Sequence, residues 1–359
     1  MKIEKKKGLR YFFTSIAPAF LLGLNYIFYN ALDLDATKQI IRIVAMTLVF
    51  VGWVLRKDFR INRIQMIFII AIIIEAFING LSILNIAAAV IFAICTGDDI
   101  KSDEKYFFRI SIVLVGFVLL LISLGILENY TYISTMGRLR STLGFGNPNV
   151  AALFYSSAIY LYMLSREKIR IRNIFVAVLL EGIIYYYTNS RTSFFALAVF
   201  VVLLFAMRSP YVDFVAKGCR VAVDAFFCLN LISVFTINSF MKYNTLLSGR
   251  ISSYAKMIND AGTTGFLLGG SSLSVDSFYY MFLFNYGAIA YLFFGLMVHH
   301  ALNELSKKKY FNEVAFLTSF FSLGIMESSV MRPEIISVLL IWKLMVQKVC
   351  IYKKDVFSE

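Results

Sequence analysis

The sequence predicts an all-α polytopic membrane protein of about twelve transmembrane helices, at roughly 20 residues for a full crossing. Three observations carry this. Hydrophobic residues make up 59% of the chain and charged ones only 16%, more apolar surface than a soluble core of 359 residues can hide. The apolar residues fall in long runs that fit bilayer spans. The net charge of +13, from 35 basic and 22 acidic residues, sits mostly in short loops between those runs. Placed there, it is a topology signal and a contact for anionic lipid, and it argues against a nucleic-acid partner.

In chain order, the first span is 11–29. Met1 to Asn30 is too long in its apolar part, and lacks the small-residue cleavage site, for a cleavable signal. The second is 39–55. Spans 64–78 and 81–96 flank Asn79 and Gly80 and are short enough to form a re-entrant hairpin instead. Next come 107–127 and 149–165, the latter entered through Asn147-Pro148-Asn149. A very short turn, Thr188 to Thr192, joins 173–188 to 192–208. Spans 215–237, 276–299, 311–329 and 335–350 complete a single membrane-embedded domain, 1–359. Two connections are long enough to build a site, 128–148 and 238–275, the latter between the ninth and tenth spans.

Charge sets the sidedness. Lys2, Lys5, Lys6, Lys7 and Arg10 precede the first span, and Arg56, Lys57, Arg60 and Arg63 follow the second. Lys101, Lys105 and Arg109, then Arg166, Lys168, Arg170 and Arg172, then Arg208 with Lys217, continue the alternation. Lys307, Lys308 and Lys309 and the tail residues Lys353 and Lys354 complete it. Lys and Arg resist translocation, so these loops and both termini are expected in the cytoplasm, and 128–148 and 238–275 outside.

The outer side carries few cations: Arg138, Arg140, Arg191, Arg250 and Arg332. Charges placed against the bias need a reason, and an anionic ligand such as a lipid-linked phosphate or pyrophosphate supplies one. Asn147-Pro148-Asn149 reads as a turn into a helix, with Pro preset for entry and Asn as cap, and a helix N-terminus attracts phosphate. The plain alternative is a cap without a ligand. Arg138 and Arg140, alternate residues in an extended segment, share a face. Arg191 lies between Ser190 and Thr192, a compact donor cluster for phosphate oxygens; its alternative is to snorkel to headgroups. Arg250 follows Gly249, which permits close backbone approach, its alternative being a solvated loop charge.

Cys95, Cys219, Cys228 and Cys350 fall within spans or at their cytoplasmic ends, so no disulfide framework, metal site or cofactor is expected. His299 and His300, at the inner end of the tenth span, read as an interfacial pair. Glu75, Glu181 and Glu327 are costly within spans and should face protein or water. Arg220 and Asp224, four apart on one helix face, read as a structural ion pair. Lys343, mid-span in the last helix, has no partner evident from the sequence.

The stretch Arg138-Leu139-Arg140-Ser141-Thr142-Leu143-Gly144-Phe145-Gly146-Asn147-Pro148-Asn149 resembles the Gly and Asn-Pro-Asn span entry of the O-antigen polymerase and ligase superfamily. Asn189-Ser190-Arg191-Thr192 opening a span, Ser248-Gly249-Arg250 in the large loop, and Asp276 to Gly287 with ten residues between follow in the family's order. The last resembles the family's H-x10-G element with Asp in place of His. These landmarks cover the middle of the chain; the first hundred residues match only in being hydrophobic.

The resemblance implies a Wzy-type polysaccharide repeat-unit polymerase, a GT-C-like membrane glycosyltransferase. It would act on undecaprenyl-pyrophosphate-linked oligosaccharide for capsule, exopolysaccharide or O-antigen, at the outer face of a bacterial cytoplasmic membrane. A flippase and chain-length regulator proteins are the partners implied. Asp276, Arg191 and Arg250 are then the catalytic candidates, and Arg138, Arg140, Asn147, Asn149, Ser190, Thr192 and Glu327 the substrate-binding ones. Asp276 is the leading base because it holds the family's His position, with a helix N-cap as its alternative. Asp33, Asp35, Glu128 and Glu327 are competing acids, and Asp33-Leu34-Asp35 resembles the metal-binding pair of other glycosyltransferases, although a loop charge is the plainer reading. Tyr185-Tyr186-Tyr187 and Phe278-Tyr279-Tyr280 read as an interfacial belt, with sugar stacking as the sharper alternative.

Two rivals stand beside this. One is a ligase-type transferase of finished polymer, which the Asp in place of an external His weighs against. The other is a lipid-linked oligosaccharide flippase or other transporter, which should show related halves and a charged central cavity. The sequence has no evident internal repeat.

Overall fold

The computed structural model describes residues 11–54, 70, 84–95, 100–133, 137–245, 249–271, 274–328 and 332–350, without the side chains of 35, 36, 84, 85, 95 and 347–350. Apart from Ile70, the predicted span 64–78, with Glu75, lies outside these residues, as do Ser248, the N-terminal and C-terminal lysines and the loop arginines Arg56, Arg60 and Arg63.

Each of the other predicted spans holds a helix. A π-helical turn, Phe12–Ile16, leads into α1 (Ala17–Asn30), followed by α2 (Asp35–Val54), α3 (Leu84–Cys95) and α4 (Ile100–Ser123). An antiparallel pair, β1 (Thr131–Ile133) and β2 (Leu139–Ser141), sets Tyr132 opposite Arg140. Then come α5 (Pro148–Leu164), α6 (Ile171–Thr188), α7 (Arg191–Ala206) and α8 (Val212–Thr236). The expected long loop 238–275 is largely helical, a 3-10 turn Ile237–Tyr243 and α9 (Arg250–Leu268). The chain ends in α10 (Phe278–Lys307), α11 (Phe311–Leu323) and α12 (Ile336–Cys350).

Among the described residues, six stretches are long and apolar enough to cross a membrane: Phe12–Asn30, Thr37–Val54, Ile100–Ser123, Ile171–Thr188, Val212–Tyr243 and Phe278–Lys307. Their outward faces are apolar too. Leu119, Phe175, Phe235, Ile289 and Leu296 are all exposed, which suits a lipid solvent and not water. The described residues are thus those of a helical membrane protein.

The chain divides into two compact units, a division the sequence did not suggest. The first comprises Met1–Gln65, Leu84–Val201 and Arg332–Gln347. In its core Gly23 of α1 lets Leu114 of α4 and Ile336 of α12 approach the α1 backbone, since a Cβ there would meet both. Tyr26 packs face to face on Phe154 with rings 5.8 Å apart, and its hydroxyl donates to the Val150 carbonyl at 3.0 Å. Two buried ion pairs tie distant segments together. Lys343 of α12 is paired with Asp103 of α4, to which the Tyr11 hydroxyl also donates. Arg42 of α2 is paired with Glu334. Lys343 and Asp103 are fully buried, so each neutralises a charge that the other cannot leave unpaired.

The second unit comprises Met66–Ile83, Val202–Met331 and Lys348–Glu359. Phe227 of α8 meets Tyr279 and Tyr291 of α10 edge to face, with rings 5.0 and 5.3 Å apart. The buried hydroxyls are satisfied on backbone, Tyr279 on the Phe321 carbonyl and Tyr291 on the Phe227 carbonyl, both at 2.9 Å. The expected Arg220–Asp224 ion pair does not form. Arg220 donates to Asn303 of α10, and Asp224 pairs with Nδ1 of His299 at 2.8 Å, so His299 is a helix-to-helix partner. A same-helix pair gives only about 0.2–0.5 kcal/mol, less than cross-helix partners offer in an apolar setting.

A break in α10 shapes this unit. Gly287 has φ 84 and ψ 165, non-helical values that interrupt the hydrogen-bond ladder. The carbonyls of Phe284 and Asn285, just before the break, accept instead from the amides of Ser271 (3.1 Å) and Gly270 (3.0 Å). The glycine-rich segment after α9 therefore mends the α10 backbone, as a helix break at membrane depth requires.

Candidate functional site

In the second unit, Arg250 is the first residue of α9. Gly249 precedes it at φ 80, and Asn244 fixes the entry by accepting from the Gly249 amide (2.9 Å) and, through Oδ1, from the Ser252 amide (3.0 Å). The Arg250 side chain then reaches the head of α10. Its Nε donates to Asp276 Oδ2 at 3.0 Å, Nη1 lies 3.6 Å from the Met326 sulfur, and Nη2 lies 4.0 Å from Glu327 Oε1.

Asp276 and Glu327 come together because the ends of their helices are tied. The Phe278 amide that opens α10 donates to the Gly324 carbonyl at 2.8 Å, and Glu327 follows closely, its amide on the Leu323 carbonyl at 3.0 Å. Exposure divides their roles: the Asp276 side chain is 56% exposed, that of Arg250 21% and that of Glu327 11%. The cap position of α10 is Ser277, so Asp276 is a partner of Arg250 and not the helix cap.

One turn along α9, Tyr254 is buried and stacks on Tyr280 with rings 4.6 Å apart. The Tyr280 hydroxyl shares a 2.6 Å hydrogen bond with Ser233, whereas the Tyr254 hydroxyl has no partner among the described residues. Burial pushes the Tyr254 phenol well above its ordinary value. Burial works against the Arg250 charge, yet the hydrogen bond and charge of Asp276, and then the charges of Glu327 and Tyr254, carry its pKa above the usual arginine value. The cluster can hold a cation beside two carboxylates, present an accessible carboxylate to a hydroxyl, and offer a phenol O–H that has nowhere else to donate.

A second group of expected residues gathers in the first unit. Asn147 caps α5, its Oδ1 accepting from the Asn149 amide at 2.8 Å, with Pro148 in the first turn. Arg140 on β2 donates through Nη2 to Asn149 Oδ1 at 2.6 Å and through Nε to the Thr188 carbonyl at 2.8 Å. It thereby pins the hairpin to the start of α5 and the end of α6. Arg138 and Arg140 are both half-buried with Leu139 exposed between them. Asn189 ends α6 at φ 49, a left-handed value that Asn tolerates, and sets up the turn into α7. Arg191 is exposed at the first position of α7, Thr192 is half-buried, and Ser190 is buried with its hydroxyl unpartnered among the described residues. Asp33 and Glu128 are exposed.

Several functional-looking groups were not singled out from sequence. Arg42, inside the predicted second span, meets Glu334 across 292 residues, a separation that no local pattern signals. Tyr254 belongs to no motif that the sequence shows. Its spacing from Arg250 and the buried set Ile251, Tyr254, Ala255 and Met257 follow a helical period that could have marked α9 within the loop.

Compared with known protein families, with characterised proteins and with solved structures, the chain matches none.

Proposed function

We propose that this chain polymerises undecaprenyl-pyrophosphate-linked oligosaccharide repeat units, with α9 and the head of α10 at the outer face of a bacterial cytoplasmic membrane. The arrangement proposed is GT-C-like, with about twelve crossings and both termini inside. One observation supports it above others: Arg250 lies between the accessible Asp276 and the shielded Glu327 where a long apolar helix begins. That gathers an anion-binding cation and a candidate base where a lipid-anchored substrate would present its headgroup.

In the proposed reaction a sugar hydroxyl of the incoming repeat attacks the anomeric carbon of the growing chain. The bond from that carbon to the pyrophosphate oxygen breaks, undecaprenyl pyrophosphate departs, and the hydroxyl proton passes to Asp276. Arg250 stabilises charge on the leaving pyrophosphate, where a guanidinium offers paired donors, and Arg191 is proposed as a further catalytic residue. Arg138, Arg140, Asn147, Asn149, Ser190, Thr192 and Glu327 are the proposed substrate contacts. A flippase and chain-length regulators are the proposed partners.

The test is incubation of purified protein with lipid-linked repeat units and gel display of the products. A ladder formed without nucleotide sugar is expected. Transfer of finished polymer to a different acceptor would make the chain a ligase, and movement of lipid-linked sugar across vesicles without a new bond would make it a flippase.

A further inference from the structure

Two polar rungs join α8 to α10. Arg220 donates to Asn303, and four residues further along α8 and four back along α10 the carboxylate of Asp224 meets Nδ1 of His299 at 2.8 Å. Past the second rung a groove of about 420 Å³ lies between the helices, walled by Cys228 and Leu231 of α8 and Leu292, Gly295 and Leu296 of α10. Gly295 gives it width, since a Cβ there would stand 3.3 Å from the Phe227 ring. Cys228, Leu292 and Leu296 are exposed, and both helices belong to stretches long and apolar enough to cross a membrane, so the groove opens on a lipid-facing surface. Asp224 and His299 close one end of it, with side chains still 36% and 45% exposed. Their pairing uses one carboxylate oxygen and one ring nitrogen, and Asp224 Oδ1 and His299 Nε2 have no other partner among the described residues. Polar atoms exposed toward hydrocarbon are costly unless something polar covers them. A ligand that fits is therefore amphiphilic, with its chain in the groove and its head at the rungs.

Charge selects the head. An ionised Asp224 only accepts, so Nδ1 of His299 donates to it and the ring is held with Nε2 turned away from the carboxylate. Asp224 balances at most an imidazolium, which leaves the charge of Arg220 uncompensated, because its partner Asn303 is neutral. Further out on the same two helices Lys217 and Lys308 outnumber Asp213, and Lys307 is paired with Glu304. A cationic end above an apolar groove suits an anionic lipid. We propose that the groove holds one chain of an anionic phospholipid, whose phosphate accepts from Arg220 and from His299 Nε2. The two donors stand on rungs one helical turn apart, about 5.4 Å, a gap that a phosphate and a guanidinium together bridge. The site is independent of the polymerase reading, as it shares none of the residues around Arg250.

Quenching of tryptophan by phospholipid with brominated chains tests this on the full-length protein without any activity assay. Ile232→Trp sets a reporter at the rim, exposed and one turn beyond Cys228, and the parent chain with only Trp53 and Trp342 supplies the background. The protein in phosphatidylcholine nanodiscs is given increasing fractions of brominated phosphatidylglycerol. Quenching should saturate at a small fraction, whereas brominated phosphatidylcholine should quench only in proportion to its amount. Arg220→Gln and His299→Gln, each added to the reporter chain, should raise the half-saturating fraction about tenfold, the scale of one charged hydrogen bond lost from an affinity. If neither variant folds, the preference of the reporter chain for phosphatidylglycerol over phosphatidylcholine still decides. Quenching proportional to amount for both lipids, the behaviour of bulk lipid, would overturn the proposal, as would saturable quenching that both variants leave unchanged.

Discussion

Gly269 lies so close to Asn285 that a Cβ on the glycine would stand 2.5 Å from the Asn285 carbonyl oxygen. Gly287 makes the reciprocal approach to the Leu267 carbonyl, and both glycines have φ above 80. The end of α9 and the break in α10 are therefore one joint, made by two residues that have no side chain. Gly269→Ala and Gly287→Ala each combine a backbone collision with a conformation that costs a non-glycine residue about 1–3 kcal/mol. Thermal unfolding in detergent should show a clear loss for both. Gly182→Ala is the control: nothing stands within 4 Å of a Cβ there, so the change should be neutral or mildly stabilising.

The Lys343–Asp103 pair makes a prediction about stability alone. Lys343→Met strands a buried carboxylate and Asp103→Leu strands a buried ammonium, so each should destabilise the first unit by about 3–5 kcal/mol. The double substitution removes both charges and should recover most of that loss. Unfolding of the four proteins in detergent gives the coupling directly, and additive losses would show that the pair is not the interaction it appears in the geometry.

Much of this was legible in the sequence and some was not, for a physical reason. Apolar runs fixed the helices because each span reports on its own solvent, and Asn147-Pro148 marked the start of α5 because a cap is local. Lys343 was visibly anomalous, yet its partner lies on another helix far away in sequence. Arg220 and Asp224 looked paired because spacing is all that a single helix shows, whereas α10 supplies Asn303 and His299 to the same face. The landmarks around Gly249 and Asp276 were legible as positions. That Arg250 would bond to Asp276 depends on α11 tying its end to Phe278, which no local pattern encodes.

On the proposed function, Arg250→Ala and Arg191→Ala should abolish or strongly reduce polymer at matched protein abundance. Removal of a charged hydrogen bond costs about 1.5–3 kcal/mol of ligand interaction. Arg250→Lys should rescue only in part, because one ammonium cannot reproduce a guanidinium set between Asp276, Met326 and Glu327. Arg191 is exposed, so its loss should leave thermal stability unchanged. Normal polymer from both alanine variants would place the pyrophosphate elsewhere.

Asp276 separates structure from chemistry most cleanly. Its contact with Arg250 needs only an oxygen acceptor, which Asn supplies, and Ser277 holds the cap position of α10. Asp276→Asn should therefore unfold within about 1 kcal/mol of wild type, the scale of an exposed ion pair. A general base must take up a proton, and an amide does not. Turnover should accordingly fall by roughly two to four orders of magnitude, the usual contribution of such a base. Asp276→His should retain part of the activity, since imidazole titrates and the longer ring still reaches a hydroxyl at this accessible position. If the Asn variant polymerises at the wild-type rate, Asp276 only orients Arg250. Glu327, the other carboxylate at the guanidinium, then becomes the group whose Gln substitution must carry the loss.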